Sequence, residues 1–230
     1  MREYKLIKTK RKTVSIKIKE DATLEVRAPL NVSDEKIDEF VKSKEKWIAK
    51  HTKKISETYN LKKEFTLNFN DYVFVRGEKA YIRSIEGNIA SYDKEKRIFY
   101  IPEIANSEQI KEIIIGLYKL IAKSYIHPKI AFFTKQMNVN PTAIRITSAN
   151  TRWGSCSGKN SVNFSWKLIM AEDETINYVI VHELAHIKQH NHSPNFWNIV
   201  ESIIPDYRKE KEKLKILGKK ISKENWDLKK

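Results

Sequence analysis

The stretch 179–197, VIVHELAHIKQHNHSPNFW, holds four of the chain's six histidines, with Glu183 between the first two. His182 and His186 are four residues apart, which on a helix puts both imidazoles on one face, able to reach a single ion at roughly 2.0–2.1 Å. Glu183 is one residue round from His182, placed to touch a water on that ion without becoming a ligand. This is the H-E-x-x-H arrangement, two zinc ligands with a general base beside them.

A catalytic zinc needs a third protein ligand and an open position. His190 continues the i, i+4 series, but at 1.5 Å per residue it lies about 12 Å along a straight helix from His182, too far to share an ion. His192 is favoured instead. Asn191 can take the left-handed conformation that ends helices, and Ser193-Pro194 reads as the N-cap and first position of a new helix carrying Phe196, Trp197 and Val200. The turn between would bring His192 back over His182 and His186. Glu201, on the new helix, ranks below it as an oxygen donor.

The helix that positions these groups starts near residue 172, with acidic residues in its first turn and Ile176, Val179, Ile180 and Leu184 as its apolar stripe. Before it, SVNFSWKL (161–168) alternates Val162, Phe164, Trp166 and Leu168 with polar residues, a strand beside whose polar edge an extended peptide could add. Earlier still, Asn106 or Ser107 caps a helix with Ile110, Ile113, Ile114, Leu117, Leu120 and Ile121 on one face, and Pro128 is expected to kink or restart it.

The first hundred residues read differently. Residues 13–27 form a hairpin pattern turning at Glu20-Asp21, Ser33 caps a helix running to about His51, and five short runs between Phe65 and Ile101 read as antiparallel strands. The expected organisation is α+β: a mainly-β N-terminal region with one helix over 1–102, then an α+β domain over 103–230 carrying the H-E-x-x-H helix.

Composition bounds the rest. A lone Cys156 excludes an internal disulfide framework, and no run approaches eighteen apolar residues, so a soluble cytoplasmic protein without a membrane span is expected. The formal net charge of +15 would attract nucleic acid or anionic surfaces. From Ile113 to Ala171 there is no acid, while Lys119, Lys123, Lys129, Lys135, Arg145, Arg152, Lys159 and Lys167 fall there.

The motifs SIKI, VRAP, FVKSKEKWIAKH, NTRWGSCS, VNFSWKLI, INYVIVHELAH, NHSPNFW and PDYRKEKEKL, in that order, resemble the YgjP-like metallopeptidases. The resemblance implies a zincin-type fold, zinc held by His182, His186 and His192, and Glu183 as catalytic base. The metal-site layout is more distantly similar to the SprT and Spartan-like proteases, which act on DNA-bound proteins. The expected activity is zinc-dependent peptide hydrolysis, with nucleic-acid-associated proteins as a candidate substrate class and DNA or RNA as a candidate partner. The rival is a nucleic-acid-binding protein whose zinc is structural.

Within TRWGSCS, Arg152 is open between a salt bridge and contact with an oxyanion or substrate carboxylate. Trp153 is expected to pack under the site, and Gly154-Ser155 to form a tight turn. Cys156 reads as a small buried residue rather than a ligand or nucleophile. Tyr207 is a candidate hydrogen-bond donor to the tetrahedral intermediate, against the simpler reading of a tyrosine packed at a helix start.

Overall fold

The computed structural model describes residues 3–227, and the chain divides into two compact units. One runs to Phe65 and takes in Ile221–Asn225; the other comprises Thr66–Lys220 and resumes at Trp226.

In the first unit, β1 (Lys5–Thr9), β2 (Ser15–Ile18) and β3 (Leu24–Pro29) form a sheet in the order β1-β3-β2. The β2–β3 hairpin is antiparallel as its alternation requires, while β1 pairs parallel to β3. Two helices follow rather than one, because the helix after Ser33 breaks at Lys44 into α1 (Asp34–Ser43) and α2 (Glu45–Glu64). Val26, Ala28 and Ile37 form a small core, flanked by Leu6, Val14, Ile16, Val32 and Val41.

The second unit opens with β4 (Tyr72–Val75), β5 (Glu78–Ile85), β6 (Ser91–Asp93) and β7 (Ile98–Pro102), ordered β4-β5-β7-β6. This sheet is mixed, not purely antiparallel, since β5 and β7 run parallel, and the FTLNF run is not a strand although Leu67 is buried. The change of period at Pro102 is real but falls inside this unit, whereas the division between compact units follows Phe65. The reason is shared packing: Phe99 of β7 meets Tyr118 of the next helix at 5.7 Å, and Tyr118 stacks on Trp166 at 5.4 Å.

That helix, α3 (Ser107–Met137), begins with a capping box in which the Asn106 side chain accepts from the Gln109 N–H while the Gln109 side chain accepts from the Asn106 N–H. It runs through Pro128 without restarting. Ile110, Ile114, Tyr118, Ala122, Ile126, Ile130, Phe133 and Met137 make its buried stripe. Three short strands, β8 (Ala143–Thr147), β9 (Gly154–Cys156) and β10 (Ser161–Ser165), form a sheet with β10 in the middle. The strand read over 161–168 stops at Ser165, whose hydroxyl accepts from the Lys167 N–H and turns Trp166–Met170 into a 3-10 helix. Then come α4 (Asp173–Lys188), α5 (Pro194–Ile203) and α6 (Tyr207–Ile221). No helix among the described residues is long and apolar enough to cross a membrane.

Candidate metal centre

α4 is anchored at its start. The Arg76-Gly77 turn between β4 and β5, with φ of 53° and 78°, donates both backbone N–H groups to the 3-10 segment, at Ile169 O and Met170 O. There the Arg76 guanidinium grips Asp173 in a bidentate pair, Nε to Oδ1 at 2.8 Å, and lies over the Tyr125 ring at 4.4 Å. Hydrogen bonding to Arg76 holds the Asp173 carboxyl below the usual range against the opposing effect of burial. A side chain at Gly77 would collide with Glu172, its Cβ falling 2.5 Å from Glu172 Cγ, so the turn needs glycine for space as well as for φ.

Three turns later the helix carries His182, Glu183 and His186. One ligand-capable atom each from His182, His186 and His192 lie within 4.8 Å of one another. The Nε2 atoms of His182 and His192 are 3.2 Å apart. That is close to the separation of about 3.3–3.4 Å expected of two nitrogens at roughly 2.0–2.1 Å from one tetrahedral ion. His186 Nδ1 donates to the Gln189 carbonyl at 3.2 Å, which leaves its Nε2 lone pair free for a ligand. The buried Nδ1 of His182 has no hydrogen-bond partner among the described residues, so aromatic packing on Tyr178, Phe196 and Trp197 sets that ring. Burial, reinforced by the neighbouring imidazoles and Lys211, pushes His182 down to about 3, and burial also lowers His186. Both rings are thus held neutral, the form that binds metal. By geometry and donor type, the three imidazoles fit a divalent ion.

The turn that delivers His192 differs from expectation in detail. α4 ends at Lys188, so His190 is an exposed residue beyond the helix rather than the next member of the i, i+4 series. Asn191 is not among the positive-φ residues; its side-chain Oδ1 instead accepts from the Gln189 side chain at 2.8 Å and the Ser193 N–H at 3.2 Å, closing the turn by side-chain bonds. Ser193 and Pro194 stand at the N-cap and first position of α5, although the Ser193 hydroxyl makes no cap bond. Glu201 lies outside the trio and accepts from Arg208 at 2.7 Å.

β9 explains TRWGSCS. Gly154-Ser155 is not a tight turn but the start of a strand paired antiparallel to β10, with Phe164 opposite Gly154. It rests on Glu183: a Cβ at Gly154 would fall 2.5 Å from Glu183 Cγ and 2.8 Å from Oε1. The Glu183 carboxylate also accepts from the Cys156 N–H. Burial pushes Glu183 up to about 7, against the opposing pull of Arg152 and that N–H bond. Cys156 is half-buried, and burial, then the nearby Glu183, raise its thiol above the ordinary value, the opposite of a reactive thiolate.

In an antiparallel pair, hydrogen-bonded positions alternate. The Ser165 N–H donates to Trp153 O, and the Ser157 N–H to Ser161 O, so residues 153, 155 and 157 face β10 while Gly154 and Cys156 direct their main-chain groups outward. Both edges of β10 are occupied, by β8 and β9, so the open edge beside the centre belongs to β9 and not to SVNFS.

The other sequence candidates are placed as follows. Arg152 is exposed just before β9, without an ion-pair partner among the described residues, and its charge acts on Glu183. Trp153 packs toward Gly218 of α6. Tyr207 is buried at the first residue of α6, stacked on Trp197 at 5.0 Å and on Tyr178 at 6.4 Å. Of the cations in the acid-free span, Lys129 donates to Asn177 and Lys167 is buried, donating to Asn150. Sequence reasoning missed the approach of Gly154 to Glu183, for which the local sign was no more than a glycine after Trp153, and it missed Lys211.

The sequence matches the family described as "YgjP-like, metallopeptidase domain" over residues 12–216. No curated protein matches it. Two solved structures are similar: the metallopeptidase zymogen of Pyrococcus abyssi abylysin, 23% identical, covering 43% of this chain and 97% of that chain with a TM-score of 0.38, and that of Methanocaldococcus jannaschii jannalysin, 24% identical, covering 42% and 97% with a TM-score of 0.34.

Proposed function

Because the chain belongs to the YgjP-like metallopeptidase family, we propose that it hydrolyses peptide bonds with zinc held by His182, His186 and His192 and with Glu183 as general base. The observation that carries the reading is the convergence of three imidazoles beside a buried carboxylate overlain by an open strand edge. Zinc in such a site acts as a Lewis acid that acidifies water and polarises the scissile carbonyl.

The chain's own residues do the rest. A substrate strand lies along β9, taking main-chain bonds from the outward groups of Gly154 and from the Cys156 carbonyl. The Cys156 N–H fixes one oxygen of Glu183; the other takes a proton from the attacking water and returns it to the departing amine nitrogen. Arg152, beside Glu183, is placed to meet a substrate carboxylate or the developing oxyanion. Tyr207, stacked between Tyr178 and Trp197, serves the site by holding Trp197 against the imidazoles. The test is casein or peptide cleavage by the zinc-loaded protein, with a chelator and with Glu183→Gln. Near-normal cleavage in either would reject the reading.

A second reading, association with nucleic acid, is favoured by α2. Lys46, Lys50, Lys53 and Lys54 share its outward face, exposed and without ion-pair partners among the described residues, and Trp47 at their edge stacks on His51 at 4.3 Å. Such a face suits a phosphate backbone with a stacked base. Oligonucleotide affinity should fall with salt, and Lys→Ala at these four positions should cut the log–log slope by about 0.7–0.9 per lysine. A salt-independent affinity would remove nucleic acid from the account.

A further inference from the structure

Lys211 lies one turn after Tyr207 on α6, a position that nothing in the local sequence marks. Its Nζ sits 4.9 Å over the Trp197 ring. That ring in turn lies 5.7 Å from His192 and 5.8 Å from His182, centroid to centroid, so an aromatic shelf carries the ammonium to the rim of the metal centre.

The ammonium has no carboxylate partner among the described residues, and the nearby acids are committed elsewhere. Glu210 is buried, accepting from Thr175 at 2.6 Å and pairing with Lys213; Glu212 pairs with Lys215; Glu201 pairs with Arg208. Arg152, whose charge acts on Glu183, likewise has no ion-pair partner among the described residues. Among the described residues these two cations have no carboxylate partner, while the acid inside, Glu183, faces β9. Two like charges held at the edge of a site that takes peptides are complementary to a negative group on the peptide and repel a positive one.

We propose that Lys211 is a specificity-determining residue of the peptidase, its ammonium receiving a substrate carboxylate so that bonds near an Asp or Glu side chain, or near a free C-terminus, are cut in preference to bonds near Lys or Arg. The proposal rests on the peptidase reading above. A contact of this kind, made equally in ground and transition states, acts chiefly on KM.

The experiment takes one peptide that the zinc-loaded full-length protein cleaves in a casein digest and makes matched versions with Glu, Gln or Lys flanking the scissile bond, each with a free or amidated C-terminus. Wild type should favour Glu over Lys by about tenfold in kcat/KM, mostly through KM, with the ratio shrinking as salt rises. Lys211→Glu should invert the order, Lys211→Ala should flatten it, Lys211→Arg should keep it, and Lys209→Glu on the same helix should leave it unchanged. Loss of preference on amidation alone identifies the C-terminal carboxylate as the recognised group; loss on Glu to Gln alone identifies the side chain. The same order should appear without turnover, as Kd for labelled peptides bound to Glu183→Gln. An unchanged Glu-to-Lys ratio in Lys211→Glu and Lys211→Ala, with the Gln peptide still cut, overturns the proposal alone. If wild type cuts no peptide, the peptidase reading falls and the proposal falls with it.

Discussion

Two carboxylates on one helix, Asp173 and Glu183, are treated in opposite ways. Asp173, at the start of α4, is met by Arg76 and Tyr125, and its proton affinity is lowered. Glu183, ten positions on, is buried under β9 with one N–H bond, and its proton affinity is raised. The difference suits the two to different parts. A charge compensated on the spot secures the helix; a charge left short of compensation in a dry site is ready to exchange a proton. The wide cleft beside Asp173, about 1210 Å³, makes the same point: its lining includes Arg76 with Asp173 and Arg97 with Glu78, charges already paired with each other.

The comparison can be broken most severely at its reactive end. Glu183→Gln keeps shape and the N–H bond but cannot accept a proton, so turnover should fall by about 10²–10⁴ while bound metal, measured by elemental analysis, stays at wild-type stoichiometry. His192→Ala should weaken zinc binding by more than about a hundredfold, beyond the 10–100-fold typical of an outer-shell partner, whereas His190→Ala should leave the titration unchanged. Equal losses would reverse the ligand assignment.

A third substitution tests the strand that buries Glu183. Gly154→Ala places a methyl inside the Glu183 side chain, so either the strand or the carboxylate must move. About 1–3 kcal/mol of stability should go in thermal melts, with a fall in turnover, while Gly158→Ala, which meets no atom within 4 Å, should change neither. Wild-type turnover in Gly154→Ala would separate β9 from the active carboxylate.

The smallest effect is expected at the compensated end. Asp173 is depressed in the folded state, so its contribution to stability is complete above the unfolded pKa of about 3.9 and disappears as pH falls through the lower folded value. Asp173→Asn should therefore cost about 0.5–1 kcal/mol at pH 7, discounted because the pair is partly exposed, and the two proteins should converge in acid. A difference that persists unchanged at pH 2 would mean that Asp173 acts through something other than its charge.

Much of the centre was legible because it is local. Four-residue spacing on a helix and a capped restart at Pro194 are written within thirteen residues, and they place His182, Glu183, His186 and His192 whether or not Asn191 turns left-handed. Helix stripes and the β2–β3 hairpin were legible for the same reason. What misled were features whose partners lie far along the chain: the parallel pairing of β5 with β7, the burial of both edges of β10, and the shared packing of Phe99, Tyr118 and Trp166 that keeps the second sheet with the helices after residue 102.

The sequence by itself therefore determined which imidazoles converge and which carboxylate lies beside them, since helical periodicity sets which side chains share a face. Only the tertiary structure decided that Gly154 is the residue that lets β9 lie on Glu183, that β9 rather than β10 offers an open edge, and that Lys211 arrives at the rim on Trp197. These depend on contacts between segments twenty-nine and fourteen residues apart, which no local period encodes.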